Sequence, residues 1–265
     1  MIPSSVVRAT LLTVLASLAL VAPTFADATD PEIAKLSHPS PSGLSGHLSL
    51  PDGLAPSLAP AAMPQTSALT QGTWTTVPPP VLFGAATVYD PVHDRLVVAG
   101  GSNGLFQKNV WTIGMSPGSS WQVDSSASAQ TPAAIAYGAA IYDPVHARMV
   151  VFGGLSSTTL SGEVWCLSLT GPLTWSALPI QGTTPTPRLN AVAAYDSRRN
   201  RLLVYGGETP DSMANDLWAL DLGDTPRWTR LEPAGAIPKG RGEACGVYDP
   251  VADRLVVYGG LTLDE

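Results

Sequence analysis

The sequence is poor in charge, in histidine and in cysteine. Charged residues make up 13% of its 265 residues, the formal net charge is −7, and no basic run is longer than Arg198–Arg199. Nucleic acid is therefore excluded as an expected partner, because binding to a phosphate backbone needs clustered Lys and Arg. The sequence contains neither a Ser-x-Asp-x-Gly-x-Thr-Trp box nor a phosphate-binding loop, and its four histidines offer little for a metal centre.

What the sequence has in abundance is repetition. A phrase whose first copy reads YDPVHDRLVVAGG begins at Tyr89, Tyr142, Tyr195 and Tyr248, always 53 residues apart. A period of about 50 residues is typical of propeller blades. Residues that recur in every copy are therefore expected to build the blade rather than to perform chemistry.

Each copy can be divided into four short strands. The first ends at the anchor tyrosine and contains small and β-branched residues, which suit the crowded axis of a propeller. After an Asp-Pro turn, the second strand is a continuous apolar run, Arg95–Ala99 in the first copy, as expected of a strand covered on both faces. It ends in a Gly-Gly pair, which permits positive φ and close approach of a neighbouring backbone. In each complete copy the third and fourth strands each carry a Trp, whose recurrence predicts packing between blades rather than stacking on sugars.

With these residues the sequence resembles the kelch-repeat β-propellers, and most closely a bacterial form written YDPVxDRLVVFGG. The resemblance covers about Trp74 to Glu265. It implies an all-β fold of four-stranded antiparallel blades. It also implies an interaction platform, the usual role of kelch propellers, although the central domain of galactose oxidase has the same fold and the fold alone does not choose between the two.

Galactose-oxidase-like chemistry needs a copper ion held by two histidines and two tyrosines, and the sequence does not provide that set. His38 and His47 lie outside the repeats, whereas His93 and His146 occupy the same slot of the turn between the first and second strands. Recurrence in a tight turn predicts surface turn residues. We therefore expect no catalytic residue, no metal site and no cofactor.

The two cysteines fall in different copies of the repeat. Cys166 lies on the predicted third strand of the second copy and Cys245 on the first strand of the fourth. A disulfide requires Cα atoms within about 7 Å of each other, which non-adjacent blades rarely offer. Both are expected to be buried, small apolar residues.

Binding is expected to use residues that differ between copies, at the rim where the loops from strand 4 to strand 1 meet those from strand 2 to strand 3. The resemblance adds that arginines at the start of the first strand often face the ligand in eukaryotic kelch domains. On these grounds the candidate ligand-binding residues are Tyr137, Arg188, Asn190, Arg241 and Glu243. The alternative for the two arginines is a hydrogen bond to interblade carbonyls. The expected ligand is a protein or a glycan.

The N-terminal part differs in character from the repeats. Residues 1–28 have the layout of a secretory signal peptide, with an apolar stretch at Ala9–Ala22 and small residues that favour cleavage after Ala26 or Ala28. The apolar stretch is shorter than the about 20 residues that span a bilayer, so we expect export without a membrane span. Residues 29–70, rich in Pro, Ser and Ala, are predicted to be a poorly ordered linker.

The propeller segment is expected to fill residues 71–265 with three complete blades and a partial fourth. The third-strand Trp follows its anchor tyrosine by 22 or 23 residues, so in the fourth copy it is due beyond Glu265. The segment that begins at Trp74 resembles a fourth strand whose pairing partner is missing. We therefore expect either the N-terminal part of a longer protein or an open arc that self-associates through its blade edges. The expected function is a secreted, non-catalytic binding or scaffold module. The alternative is the N-terminal part of a secreted carbohydrate-active or galactose-oxidase-like enzyme whose catalytic residues lie outside this chain.

Overall fold

The computed structural model describes residue 80 and residues 82–262 apart from 125–129, 134 and 158. The predicted signal peptide at 1–28, the predicted linker at 29–70 and Trp74 lie outside these residues. Regular secondary structure in the described part consists of fourteen β-strands. A search of the same residues for a helix long and apolar enough to cross a membrane finds none.

The strands form three four-stranded sheets and one two-stranded sheet, and in each of them strands that follow one another in sequence are antiparallel neighbours. The first blade consists of β1 (Ala86–Asp90), β2 (Arg95–Ala99), β3 (Val110–Gly114) and β4 (Gln122–Asp124). The second consists of β5 (Ala139–Asp143), β6 (Arg148–Phe152), β7 (Val164–Ser168) and β8 (Thr174–Ala177). The third consists of β9 (Val192–Asp196), β10 (Arg201–Tyr205), β11 (Leu217–Asp221) and β12 (Trp228–Leu231). The fourth, partial blade consists of β13 (Cys245–Asp249) and β14 (Arg254–Tyr258).

The predicted architecture of three complete blades and a partial fourth is confirmed. The first strands of successive blades, β1, β5, β9 and β13, lie side by side. They are the strands with the smallest side chains, and they line the axis because only small residues let neighbouring blades converge there. The other strands of each blade follow outward in sequence order.

The Gly-Gly pairs connect each blade to the next. Gly206 and Gly207 adopt φ values of +67° and +96°, and the backbone N–H of Gly207 donates to the carbonyl oxygen of Arg241 at 2.8 Å. A Cβ atom on Gly206 would lie 2.5 Å from that same oxygen. Only glycine fits here, as the sequence predicted.

The hydrophobic cores lie between blades. In the first interface, Trp165 and Trp175 of the second blade pack with Val97 of the first blade. In the second interface, the ring of Trp228 meets the ring of Phe152 edge to face, with 5.0 Å between the centroids. The prediction that these tryptophans pack between blades is confirmed for all four that belong to the second and third blades, which are buried.

The fourth blade is the exception to this burial. Tyr258 on β14 is 84% exposed, whereas Tyr205, its equivalent on β10, is 6% exposed. Val247 and Val256 are exposed as well. Among the described residues β14 pairs only with β13, so the apolar outer edge and face of this blade are uncovered.

Candidate functional site

Four residues at equivalent positions of successive blades form the axial mouth of the arc, and we call them the axial belt. They are Gly84, Tyr137, Asn190 and Glu243, each five residues before its anchor tyrosine. The backbone N–H of each of the last three donates to the carbonyl oxygen of the preceding member, at 2.6, 2.9 and 3.0 Å. All four have φ between +54° and +63°, a conformation that non-glycine residues adopt rarely. A continuous chain of backbone bonds therefore holds three different side chains around one axis.

The axial belt lines a cleft of about 280 Å³. Nδ2 of Asn190 donates to Oε1 of Glu208 at 2.8 Å and to Oε1 of Glu243 at 3.3 Å. Burial raises the pKa of Glu208; the hydrogen bond from Asn190 opposes this rise and the charge of Glu243 adds to it. Burial, with the charges of Glu243 and Glu208, also raises the pKa of Tyr137. The mouth thus combines a phenol, an amide and two carboxylates that share one amide group.

Glu208 is a member of this group that the sequence did not single out. It directly follows the Gly-Gly pair of the third blade, and its backbone exchanges hydrogen bonds of 2.9 and 3.0 Å with Leu189, the residue before Asn190. These bonds join the end of the strand 4 to strand 1 loop to the start of the strand 2 to strand 3 loop, so the two loops meet at one rim as predicted. The sequence did contain a signal for Glu208, because it is the only charged residue among the four that directly follow the Gly-Gly pairs. These residues are Ser102, Leu155, Glu208 and Leu261.

The structure corrects the expectation that Arg188 faces a ligand. Its side chain is 1% exposed, and its Nη1 and Nη2 atoms donate to the carboxylate of Asp216 at 2.6 and 3.0 Å. Nη1 also donates to the carbonyl oxygen of Gly206 at 2.9 Å, and Nε to that of Thr186 at 3.0 Å. The same carboxylate accepts the indole N–H of Trp218 at 2.7 Å. Every guanidinium nitrogen thus donates a hydrogen bond inside the protein. Hydrogen bonding to backbone carbonyls was the alternative role considered for this residue.

Arg241 bonds to the backbone carbonyls that are equivalent to those held by Arg188, but no carboxylate among the described residues pairs with it, and its guanidinium interacts instead with the hydroxyl of Tyr205. Its Nε donates to the carbonyl oxygen of Lys239 at 3.3 Å and its Nη1 to that of Gly259 at 2.9 Å. It is partly exposed and lines a separate cleft of about 410 Å³ between the third blade and β14. Of the five predicted residues, the structure therefore brings three together at the axial belt and places both arginines elsewhere.

The turns between first and second strands lie at the opposite rim. Oδ2 of Asp90 accepts a hydrogen bond from Nε of Arg95 at 3.0 Å and lies 2.7 Å from Nδ1 of His93. In the second blade, Nδ1 of His146 lies 2.8 Å from Oδ2 of Asp143. Each histidine thus contacts the aspartate of its own turn. In the described part of the chain, no three His, Cys, Asp or Glu side chains are grouped in a way that could hold a metal ion.

A short stretch after β2 has the Gly-x-Ser-x-Gly spacing of a hydrolase nucleophile. It reads Gly-Gly-Ser-Asn-Gly at residues 100–104. In hydrolases this motif exposes its serine between a strand and a helix, whereas here Ser102 is buried and its backbone pairs with that of Phe83 at 2.8 and 2.9 Å. Its Oγ accepts the backbone N–H of Gly104 at 3.2 Å. The stretch is therefore part of the blade and not a nucleophile elbow.

The two cysteines differ in environment, and neither forms a disulfide. Cys166 is buried as predicted, and burial raises the pKa of its thiol to about 11. The prediction is wrong for Cys245, which is exposed. Its equivalents Ala139 and Val192 are buried because the following blade covers them, and no described blade follows β13.

Comparison with known proteins identifies the repeat. The sequence profile of the KLHDC2/KLHL20/DRC7 Kelch-repeats domain matches residues 62–261. Dynein regulatory complex subunit 7 from Chlamydomonas reinhardtii is 34% identical over 120 residues, which cover 44% of this chain and 10% of that protein. Acyl-CoA-binding domain-containing protein 5 from Arabidopsis thaliana is 32% identical over 113 residues, which cover 42% of this chain and 17% of that protein.

The matched regions thus span less than a fifth of the length of either relative. The profile, by contrast, covers most of this chain. Its matched range includes all four anchor tyrosines and every strand described above. Because sequence profile and blade architecture coincide over this range, the chain belongs to the kelch-repeat family.

Proposed function

We propose that the chain is a non-catalytic binding or scaffold module that takes its ligand, a protein or a glycan, at the axial belt and the loops around it. Kelch-repeat domains generally mediate protein interaction. One relative is by name a subunit of a dynein regulatory complex. Both facts favour a protein over a glycan as the ligand.

One observation carries this proposal: at one position of the repeat, five residues before the anchor tyrosine, the residues differ from blade to blade and converge on a single cleft. The anchor tyrosines and the Gly-Gly pairs recur in each copy, the tryptophans recur in each complete copy, and all of them are used in turns and packing. The axial belt, at equivalent backbone positions, instead presents Gly84, Tyr137, Asn190 and Glu243. In a repeat protein, specificity resides where otherwise equivalent units differ on a shared surface.

The chemistry of the cleft indicates the kind of protein surface it would accept. Glu208 and Glu243 place two carboxylates at the mouth, next to the ring of Tyr137. Opposite charge across an interface favours association and sets partner choice, and tyrosine is enriched among the residues that contribute most to binding. We therefore propose a ligand that presents basic side chains.

The experiment compares charge removal at the axial belt with charge removal elsewhere. Glu208→Gln combined with Glu243→Gln keeps the shape of the mouth and removes both charges, whereas Asp224→Asn removes an exposed charge outside it. The labelled full chain and both variants are applied to arrays of basic, neutral and acidic proteins and to a glycan array. We expect basic proteins to bind the parent, the double variant to lose affinity by about tenfold or more, and Asp224→Asn to bind like the parent. Unchanged binding of the double variant on every array would remove the axial belt as the site.

We also propose that the chain is exported. The support is the layout of residues 1–28 described from the sequence. Intact-mass measurement of the protein recovered outside the cytoplasm of a bacterial host should show an N-terminus at Asp27 or Thr29. A recovered protein that retains Met1 would contradict the proposal.

A further inference from the structure

We infer that the axial belt selects an arginine side chain of its ligand, whose guanidinium lies on the ring of Tyr137 and donates to the carboxylate of Glu243. This inference rests on the proposed function and deepens it, because it names the side chain that the cleft takes. Gly84 takes part as a positioning residue for the ring. Four features of the described residues carry it: a ring held against a glycine, a carboxylate with a remaining acceptor site, the spacing of the two along the belt, and the size of the cleft.

The ring of Tyr137 is held in place by the absence of a side chain at Gly84. Positive φ at this position of the repeat does not by itself require glycine, because the other three members of the axial belt adopt φ between +54° and +62°. A Cβ atom on Gly84 would lie 2.5 to 2.8 Å from three ring carbons of Tyr137, closer than side chains can pack. Glycine at position 84 is therefore explained by the ring, which lies against the backbone there and lines the cleft.

The ring of Tyr137 lies near negative charge. Burial raises the pKa of its hydroxyl, and the charges of Glu243 and Glu208 raise it further, so both carboxylates act on this side chain. The face of an aromatic ring attracts a cation, most strongly where the site is partly removed from water, and Tyr137 is partly buried. A cation on this ring is therefore attracted by the ring and by two carboxylates at once.

Glu243 keeps an acceptor site for this cation. Its Oε1 accepts the longer of the two hydrogen bonds from Nδ2 of Asn190, at 3.3 Å, and the shorter one, at 2.8 Å, goes to Oε1 of Glu208. Among the described residues, no other hydrogen bond to the side chain of Glu243 is present, although an ionised carboxylate has about four lone-pair sites. Since Glu243 lines the cleft and Glu208 does not, the acceptor site that faces a ligand belongs to Glu243.

The order of the axial belt favours a guanidinium over an ammonium. Asn190 lies between Tyr137 and Glu243, and backbone hydrogen bonds of 2.9 and 3.0 Å fix this order. A group that contacts both ends must therefore extend past one blade. A guanidinium is planar, presents five N–H donors in a fixed fork and stacks on aromatic faces, whereas an ammonium is a compact point charge. The guanidinium can thus contact the ring with its face and the carboxylate with its edge at the same time.

The size and the lining of the cleft limit its occupant to one side chain. Its volume of about 280 Å³ is below the about 300–1,000 Å³ of pockets that enclose a whole small molecule. Apart from the axial belt, the lining consists only of small residues, each of which directly follows a belt member. These residues are Ala85, Gly138, Ala191 and Ala244. The selectivity of the cleft therefore resides in the side chains of the belt.

The first experiment measures binding of three labelled peptides to the full chain by fluorescence anisotropy. The peptides repeat Gly-Ser-Arg, Gly-Ser-Lys or Gly-Ser-citrulline four times, and citrulline keeps the shape of arginine without its charge. We expect the arginine peptide to bind about tenfold more tightly than the lysine peptide and the citrulline peptide to show no saturable binding. Glu243→Gln should weaken binding of the arginine peptide by about tenfold, whereas the control Asp224→Asn, at an exposed carboxylate outside the cleft, should bind it like the parent.

The second experiment tests the ring and the glycine beneath it with the same peptides. Tyr137→Leu should bring the arginine and lysine peptides to equal affinity, whereas Tyr137→Phe keeps the ring and should keep the preference for arginine. Gly84→Ala should reduce the preference, because the added Cβ displaces the ring. Gly171→Ala is the matched control and should keep it, since Gly171 has a similar φ of +68° and an added Cβ there meets no atom within 4 Å. Circular dichroism confirms that each variant is folded.

Three results would overturn the inference: equal affinity of the arginine and lysine peptides for the parent chain, binding of the citrulline peptide as tight as that of the arginine peptide, and a preference for arginine that Tyr137→Leu retains. Binding of basic proteins on the arrays without binding of the arginine peptide would overturn it as well. Equal binding of both basic peptides that Glu208→Gln with Glu243→Gln abolishes would leave the proposed function in place and remove only the assignment of arginine. If the parent binds neither basic proteins nor basic peptides, the proposed function fails together with the inference.

Discussion

Arg188 and Arg241 occupy equivalent positions of the repeat. They can therefore be compared to test how burial changes the contribution of an arginine side chain to the free energy of unfolding. Both precede a first strand by the same distance and both hold two backbone carbonyls. Only Arg188 is buried and paired with a carboxylate. We predict that Arg188→Ala lowers the free energy of unfolding far more than Arg241→Ala.

The magnitudes follow from what each substitution leaves behind. Arg188→Ala removes two backbone bonds and both bonds to Asp216, and it leaves that carboxylate without its cation in a largely buried position. Breaking a buried ion pair from one side costs about 3–5 kcal/mol. Arg241→Ala removes two backbone bonds and an interaction with the Tyr205 hydroxyl at a partly exposed position and leaves no charge unpaired, so a loss of about 1 kcal/mol is expected.

The pH dependence of the difference gives a second check. Burial alone would raise the pKa of Asp216, but the hydrogen bonds from Arg188 and Trp218 outweigh burial and hold it below the ordinary value. A carboxylate with a depressed pKa stabilises the fold above its unfolded pKa of about 3.9, and this contribution is lost as the pH falls through the lower folded value. The gap between parent and Arg188→Ala should therefore be full at neutral pH and should narrow below about pH 4.

Urea unfolding followed by tryptophan fluorescence measures all three proteins. If Arg188→Ala proves too unstable to purify, Arg188→Ile replaces it, because Ile135 occupies the equivalent position of the second blade. Adding Asp216→Asn to Arg188→Ile should then restore part of the loss, since no unpaired charge remains. Equal losses for the alanine variants at positions 188 and 241, or a gap between parent and Arg188→Ala that persists unchanged at pH 3, would refute the reasoning.

Two further predictions concern the interblade cores and the thiols. Trp228→Ala should lower the free energy of unfolding by about 3–5 kcal/mol, because the ring is buried against Phe152. Trp121→Ala, at a partly exposed position of the first blade, should lower it less in the same urea titration. Similar losses for the two variants would contradict the assignment of the core. In the folded protein, iodoacetamide at pH 8 should alkylate the exposed Cys245 and spare Cys166, whose thiol is buried with a pKa of about 11. Cys166 should react once urea unfolds the chain. Peptide mass mapping measures labelling at both sites, and equal labelling of the folded protein would be inconsistent with the burial described.

The blade was predictable from the sequence because its determinants are local and repeated. An aspartate that caps its own turn, such as Asp143, needs only the next few residues, and its Oδ1 indeed accepts the backbone N–H of Val145 at 3.0 Å. The Gly-Gly pair needs only the adjacent blade, which an unbroken 53-residue period guarantees. For the same reason three members of the axial belt were found: equal distance from the anchor tyrosine places them in one ring of backbone hydrogen bonds.

The features that could not be predicted depend on contacts with residues distant in sequence and not on the position within the repeat. Arg188 and Arg241 follow similar local sequences, and their difference arises because Asp216 lies across the blade from one of them. Burial of Cys245 was predicted from the repeat position, whereas the accessibility of that position is set by whether another blade covers it. Glu208 escaped notice because its relevance comes from a contact with Asn190 that joins two loops.

In an array of equivalent units, a side chain acquires a role of its own where its surroundings stop repeating. Tyr205 and Tyr258 have the same place in the blade, yet one is core and the other is surface, because only the first has strands and a blade packed on it. At the axial belt, the backbone conformation is the same in every blade but the side chains differ. On β14, the side chains resemble those of the other blades but are more exposed. The departure at the axial belt places the side chains of Tyr137, Asn190 and Glu243 on one open cleft, and side chains that differ between otherwise equivalent units on a shared surface are the ones that can select a ligand. Recognition by this chain is therefore expected at the axial belt and not on the turns of the opposite rim, where Asp90 and Asp143 are already satisfied within their own blades.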